Sequence, residues 1–128
     1  MDTKMIILTG IVLFTIDILF ITYIFSNEYK SLIKSVQKSK LEINYIAGFI
    51  TYIILIFGLY YFIIKDRRSI LDAAILGMII YGIFAGTNYS LLKNWSFKVA
   101  VIDTIWGGIL FASTTMALQY IEGVFIKK

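Results

Sequence analysis

Four apolar stretches, each close to the length that crosses a bilayer and separated by short charged segments, fill most of this chain. They run over residues 5–25, 43–64, 71–92 and 99–126. A helix rises about 1.5 Å per residue, so about 20 mainly apolar residues span the hydrocarbon core. Strands of a membrane barrel would alternate polar and apolar residues over about 10 positions, and these stretches do not alternate. The expected fold is all-α: a polytopic, multi-pass integral membrane protein forming one four-helix transmembrane domain over residues 1–128. Composition agrees, with 59% hydrophobic and 16% charged residues, where soluble domains average about half and about a quarter. Lys4 precedes the first stretch as it would in a signal peptide. That stretch is too long for a signal h-region, however, and no small-x-small cleavage site follows it.

Absent residue types narrow the chemistry. Without Cys there are no disulfides, thiolate metal sites or thiol nucleophiles. Without His the usual general base and the His clusters of membrane oxidases are missing. Neither a cofactor nor a metal is expected. The net charge of +4 lies in the loops, where it reports on lipid and topology. No basic block is interleaved with exposed aromatics, so nucleic acid is not an expected partner; membrane lipids are.

Between the first two stretches, residues 26–42 have a different pattern. Tyr29, Leu32, Ile33 and Val36 recur at the spacing of one helical face, and Lys30, Lys34 and Lys38 fall on another. This predicts a short amphipathic helix over residues 28–40, lying in the interface with its lysines toward lipid headgroups. The alternative is a solvated connector whose lysines only mark topology. Orientation is balanced. Lys4, Lys65, Arg67, Arg68, Lys127 and Lys128 fall on the side of the termini, and Lys30, Lys34, Lys38, Lys40, Lys93 and Lys98 on the other. The lysine-rich helix favours a cytoplasmic first loop, and the tie also permits dual topology.

A charged side chain at mid-membrane costs about 2.5–3.5 kcal/mol on insertion scales, so an intramembrane acid marks a candidate site. Asp17 lies about 12 Å below the first-loop end of its helix, and Asp103 about 6–8 Å below the third-loop end. The two loops share a side, so both acids occupy one half of the bilayer. Thr87 and Asn88 approach that depth from the third helix, and Trp106 follows Asp103 by one turn. The predicted polar pocket is thus Asp17, Thr87, Asn88, Asp103 and Trp106, with catalytic residues unassigned. Interhelical hydrogen-bond glue is the competing reading for each. Gly82 and Gly86 form a G-x-x-x-G on the third helix, and Gly107 and Gly108 adjoin on the fourth. All four are expected to serve helix packing, with a homo-oligomer as the further consequence.

Several of these residues also match a known pattern. Tyr81-Gly82-Ile83-Phe84-Ala85-Gly86-Thr87-Asn88, followed by Trp95, resembles the Tyr-Gly-x-Tyr-Asp-Leu-Thr-Asn…Trp signature of the domain of unknown function 2177 family. Ile102-Asp103-Thr104-Ile105-Trp106-Gly107 resembles its Val-Asp-x-x-Trp-Gly motif, and Asp17 stands where that family has a first-helix Asp. The resemblance spans nearly the whole chain and implies a small four-helix membrane protein without an established activity. Two positions depart from it: Ala85 stands for the signature Asp of the third helix, and Phe20 for a Trp after the first-helix Asp.

These readings support a lipid- or small-solute-binding, accessory bundle with a polar pocket in one leaflet. One alternative is a small proton-coupled transporter using Asp17. Another is a structural protein of a cytoplasmic, internal or virion membrane. An enzyme on lipid rests only on the acid pair, since nucleophile elbow, His box and nucleotide loop are all missing.

Overall fold

A computed structural model describes residues 2–123. Its elements are α1 (Thr3–Tyr23), α2 (Ser26–Gln37), α3 (Tyr45–Leu59) continued by a π turn (Tyr60–Ile64), α4 (Ile70–Leu91) and α5 (Phe97–Ile121). No strand occurs among the described residues. Four helices, counting α3 with its π turn as one, are long and apolar enough to cross a membrane. The predicted end of the fourth stretch at Ile126, and the Lys127-Lys128 pair, lie outside the described residues.

Each span begins at a polar residue that satisfies one of the free N–H groups of the first turn. Asp2, Asn44, Ser69 and Ser96 accept from the backbone N–H of Met5, Ala47, Asp72 and Val99 at 3.2, 3.1, 3.0 and 3.2 Å. In the π turn the Lys65 N–H reaches back five residues to the Tyr60 carbonyl at 2.8 Å. Tyr60 itself is buried, and its hydroxyl accepts from the Asp2 N–H at 2.9 Å, tying α1 to α3.

The half of the bundle nearer the termini is mainly apolar, with Thr9, Thr114 and Thr115 as its buried hydroxyls. Leu13, Leu59, Ala73, Leu110 and Phe111 are fully buried in one cluster with Ile63. α4 and α5 approach closely through small residues, but not through the predicted G-x-x-x-G. A Cβ on Gly77 would collide with the Gly107 carbonyl, and one on Gly107 would sit 2.5 Å from the Gly77 oxygen. On Gly108 it would sit 2.6 Å from Met78 Cγ. Gly82 only borders Thr104, at 3.3 Å, and Gly86 meets nothing within 4 Å. The sequence spacing selects a face of α4, whereas the seam is set by which residues of two antiparallel helices meet.

The short helix is present, but displaced and differently employed. It ends at Gln37, where Lys38 turns left-handed (φ 63°), instead of reaching residue 40. Its apolar face does not rest on lipid. Leu32 is buried, and Tyr29, Ile33 and Val36 pack with it onto Phe25, Ala85, Trp95, Val99 and Ala100. Asn94 Nδ2 donates to the Ser35 carbonyl at 3.2 Å and fastens α2 to the loop between α4 and α5. Lys30, Lys34 and Lys38 remain exposed on the outer side. The helix is a cover on one end of the bundle.

Candidate functional site

Beneath that cover, α1 and α5 each contribute one buried carboxyl group. Asp17 is 4% exposed and Asp103 6%. Burying such groups without hydrogen bonds is costly, so their partners decide what each can do.

Asp17 is fully engaged. Trp106 Nε1 donates to its Oδ1 at 2.8 Å, and the Tyr52 hydroxyl donates to its Oδ2. One carboxyl group on α1 thereby ties down α3 and α5. The Trp106 ring is held in turn by Phe20, which stacks on it with centroids 3.9 Å apart and planes 8° from parallel. Phe20 thus supplies the aromatic face that orients the indole.

Asp103 is the opposite case. Its Oδ2 is buried and has no hydrogen-bond partner among the described residues. Trp106, one turn further along α5, spends its N–H on Asp17. Both carboxylates lie within electrostatic reach of Tyr29 above them in α2 and of Tyr81 in α4. Burial first, then Asp103 and then Asp17, hold the Tyr29 phenol above its ordinary value of 10.0. Tyr29 is therefore a neutral group at physiological pH. Among the described residues, ion pairs join Arg67 to Glu122 and Arg68 to Asp72, both at the far end of the bundle. Neither touches the acid layer.

The third-helix residues are placed differently from the expectation. Ala85 is buried under the cover, and Asn88, one turn on, is half-buried. Thr87 is exposed. It lies about 200° round the helix from Ala85, so it points away from the acids. No hydrogen bond among the described residues joins Thr87 or Asn88 to either carboxyl. The polar contributors that sequence reasoning missed are tyrosines: Tyr52, Tyr81 and Tyr29. Trp95, expected as an interfacial belt residue, is buried between Tyr29 and Phe84, with centroids 6.3 and 6.4 Å away.

A groove of about 500 Å³ runs between α2 and the start of α5. Ser31, Ser35, Asn94, Ser96 and Lys98 make it polar, and Leu32 and Val99 lie at its base. Val99 precedes Asp103 by one turn on the same face, so about 6 Å of helix separates groove and acid.

Sequence comparison now bears on these helices together. A family model described as "Predicted membrane protein (DUF2177)" matches residues 3–120. The chain belongs to that family. Membership covers all four spans and the cover helix, and makes the chain a membrane protein. The DUF2177 description carries no activity. No curated protein and no solved structure matches the chain.

Proposed function

We propose that this DUF2177 member is a bilayer-embedded binding protein. In this reading Asp103 receives a cationic, hydrogen-bond-donating group, such as an ammonium, from a lipid headgroup or a small solute. The observation that carries the reading is the unpartnered, buried Asp103 Oδ2, beside a second carboxylate that already has two donors. A buried acceptor left empty costs about 1–3 kcal/mol. Two acids in one layer without a basic partner leave negative charge that an incoming cation would relieve. Asp17 acts here as a positioning residue, fixing Trp106 and α5.

The apolar core favours binding over passage. Leu13, Leu59, Leu110 and Phe111 lie fully buried between the acids and the face of the termini. Close packing of that layer separates Asp103 from the far face, and the buried Thr9 and Thr115 hydroxyls there are spent on carbonyls of their own helices. Access is from the side of the cover, where the groove ends one turn above Asp103.

The test uses the full chain purified in neutral detergent and native mass spectrometry with three probes: octylamine, octanol and ethanolamine. Octylamine should bind, and octanol about tenfold more weakly, the worth of one charge-assisted hydrogen bond. Asp103→Asn should remove the difference. Ethanolamine binding as well as octylamine would assign the site to a soluble amine; ethanolamine binding poorly would assign it to a lipid one. Equal retention of octylamine by wild type and Asp103→Asn would overturn the proposal.

A further inference from the structure

The far end of the bundle holds a second feature that the acid layer does not explain. A cavity of about 310 Å³ opens between the start of α1, the π turn and the end of α5. That is the lower end of the range for small-molecule sites, about 300–1,000 Å³. Met5, Ile63 and Leu118, all buried, form its apolar wall, while Arg67, Arg68 and Glu122 stand at its mouth. Thr115 and Gln119 complete the wall and Glu122 adds a carboxylate to the mouth, so a charged opening leads to a mostly apolar interior, as the two parts of an amphiphile require.

The arginines are placed there by the turn that ends the second span. Arg67 adopts φ 53°, a left-handed conformation uncommon for a residue with a Cβ. The Arg67 N–H donates to the Ile64 carbonyl at 3.1 Å and the Arg68 N–H to the Ile63 carbonyl at 2.9 Å, closing the turn. These are the two bonds of a Schellman cap, the common left-handed termination of a helix. Its effect is to bring consecutive arginines to one opening. Each is already paired, Arg67 with Glu122 and Arg68 with Asp72 at 2.9 Å. Yet a guanidinium carries five N–H donors in a planar fork, and one carboxylate does not use them all. Both side chains are also more than half exposed, so their remaining donors are free to turn to a ligand.

We infer that this cavity binds the phosphate group of a membrane phospholipid. The arginine forks take the phosphate oxygens, and Met5, Ile63 and Leu118 take the glycerol and first acyl carbons. The loop over residues 65–69 joins two spanning helices, so it lies at the level where lipid phosphates are found. A free phosphate would share the arginine contacts but leave the apolar wall unused. The site is independent of Asp103, at the opposite end of the bundle.

The experiment is a titration of the full chain in neutral detergent, read by native mass spectrometry. The probes are dihexanoyl phosphatidic acid, dihexanoylglycerol and inorganic phosphate. Phosphatidic acid should bind more tightly than either other probe by about tenfold or more, the worth of one charge-assisted hydrogen bond. The Arg67→Gln/Arg68→Gln variant should lose that advantage. Lys65→Gln is the control, because Lys65 carries the same charge in the same loop but lies over the Tyr61 ring, 4.2 Å from its centroid. It should leave binding within about twofold, as expected for an exposed charge outside the contact. Equal weakening by Lys65→Gln and the arginine variant would mean general surface attraction and overturn the inference. So would inorganic phosphate binding as tightly as phosphatidic acid, or no binding above dihexanoylglycerol.

Discussion

The two halves of this bundle solve the same problem, filling the space between four helices, with different materials. Toward the termini the filling is mainly aliphatic and aromatic, with three buried threonines, and the glycine seam of Gly77, Gly107 and Gly108 lets α4 and α5 touch backbone to backbone. Toward the opposite face it is a layer of two carboxyls, an indole and two tyrosines, Tyr52 and Tyr81, beneath a helical cover that adds Tyr29. In lipid an apolar core gains little over lipid contact, so shape complementarity and close backbone approach hold the first half together. In the second half hydrogen bonds between helices do so, and among the described residues Asp103 Oδ2 and Trp95 Nε1 remain without a partner. Rigidity in one half and an unspent acceptor in the other are what a one-sided binding site needs.

The comparison predicts a graded response to substitution. The largest effect belongs to the seam: Gly107→Val places a side chain against the Gly77 carbonyl and the Tyr81 ring. Loss of the monodisperse, helical species in size-exclusion chromatography and circular dichroism is expected. Next comes Asp17→Ala, which strands the Tyr52 hydroxyl and the Trp106 N–H. A loss of about 2–6 kcal/mol is expected in unfolding measurements in detergent, since each of the two stranded donors costs about 1–3 kcal/mol. Asp103→Asn should leave the unfolding midpoint nearly unchanged while removing amine binding, because no donor among the described residues depends on that carboxyl. If it destabilised the bundle as much as Asp17→Ala, Asp103 would be glue and the contrast between the acids would collapse.

A smaller effect concerns the cover. The Tyr29 phenol is held above its ordinary value, so the docked state disfavours its ionisation. The stability this lends to docking is complete below the unfolded value near 10.0 and is lost as pH rises beyond it. Limited proteolysis within α2 should accelerate above about pH 10 in wild type, and Tyr29→Phe should remove that component. Smallest of all is Gly86→Ala. With open space around that position, the unfolding midpoint should not fall, and a clear drop would reveal a neighbour that a single copy of the chain lacks.

Much of this was legible in the sequence. Length and apolarity specify four spans, and the Tyr29, Leu32, Ile33, Val36 spacing specifies the short helix. Cost of burial singles out Asp17 and Asp103, and helical spacing attaches Trp106 to them. What was not legible depends on rotation and on meeting across helices. Thr87 has the right depth but the wrong azimuth. Tyr52 is hidden because a tyrosine in an apolar run reads as core, and only the approach of α1 turns its hydroxyl into a donor. Gly77 has only Ala73, four residues earlier, as its small-residue partner, a weaker spacing signal than Gly82 with Gly86, although it is Gly77 that faces Gly107.

The most direct test asks which carboxyl is available. Dicyclohexylcarbodiimide partitions into bilayers and modifies carboxyl groups that are free to react. Applied to the full chain in liposomes and mapped by peptide mass spectrometry, it should label the Asp103 peptide, with labelling slowed by octylamine. The Asp17 peptide should stay unmodified while Tyr52 and Trp106 hold both its oxygens. Label on Asp17 and none on Asp103 would contradict the account.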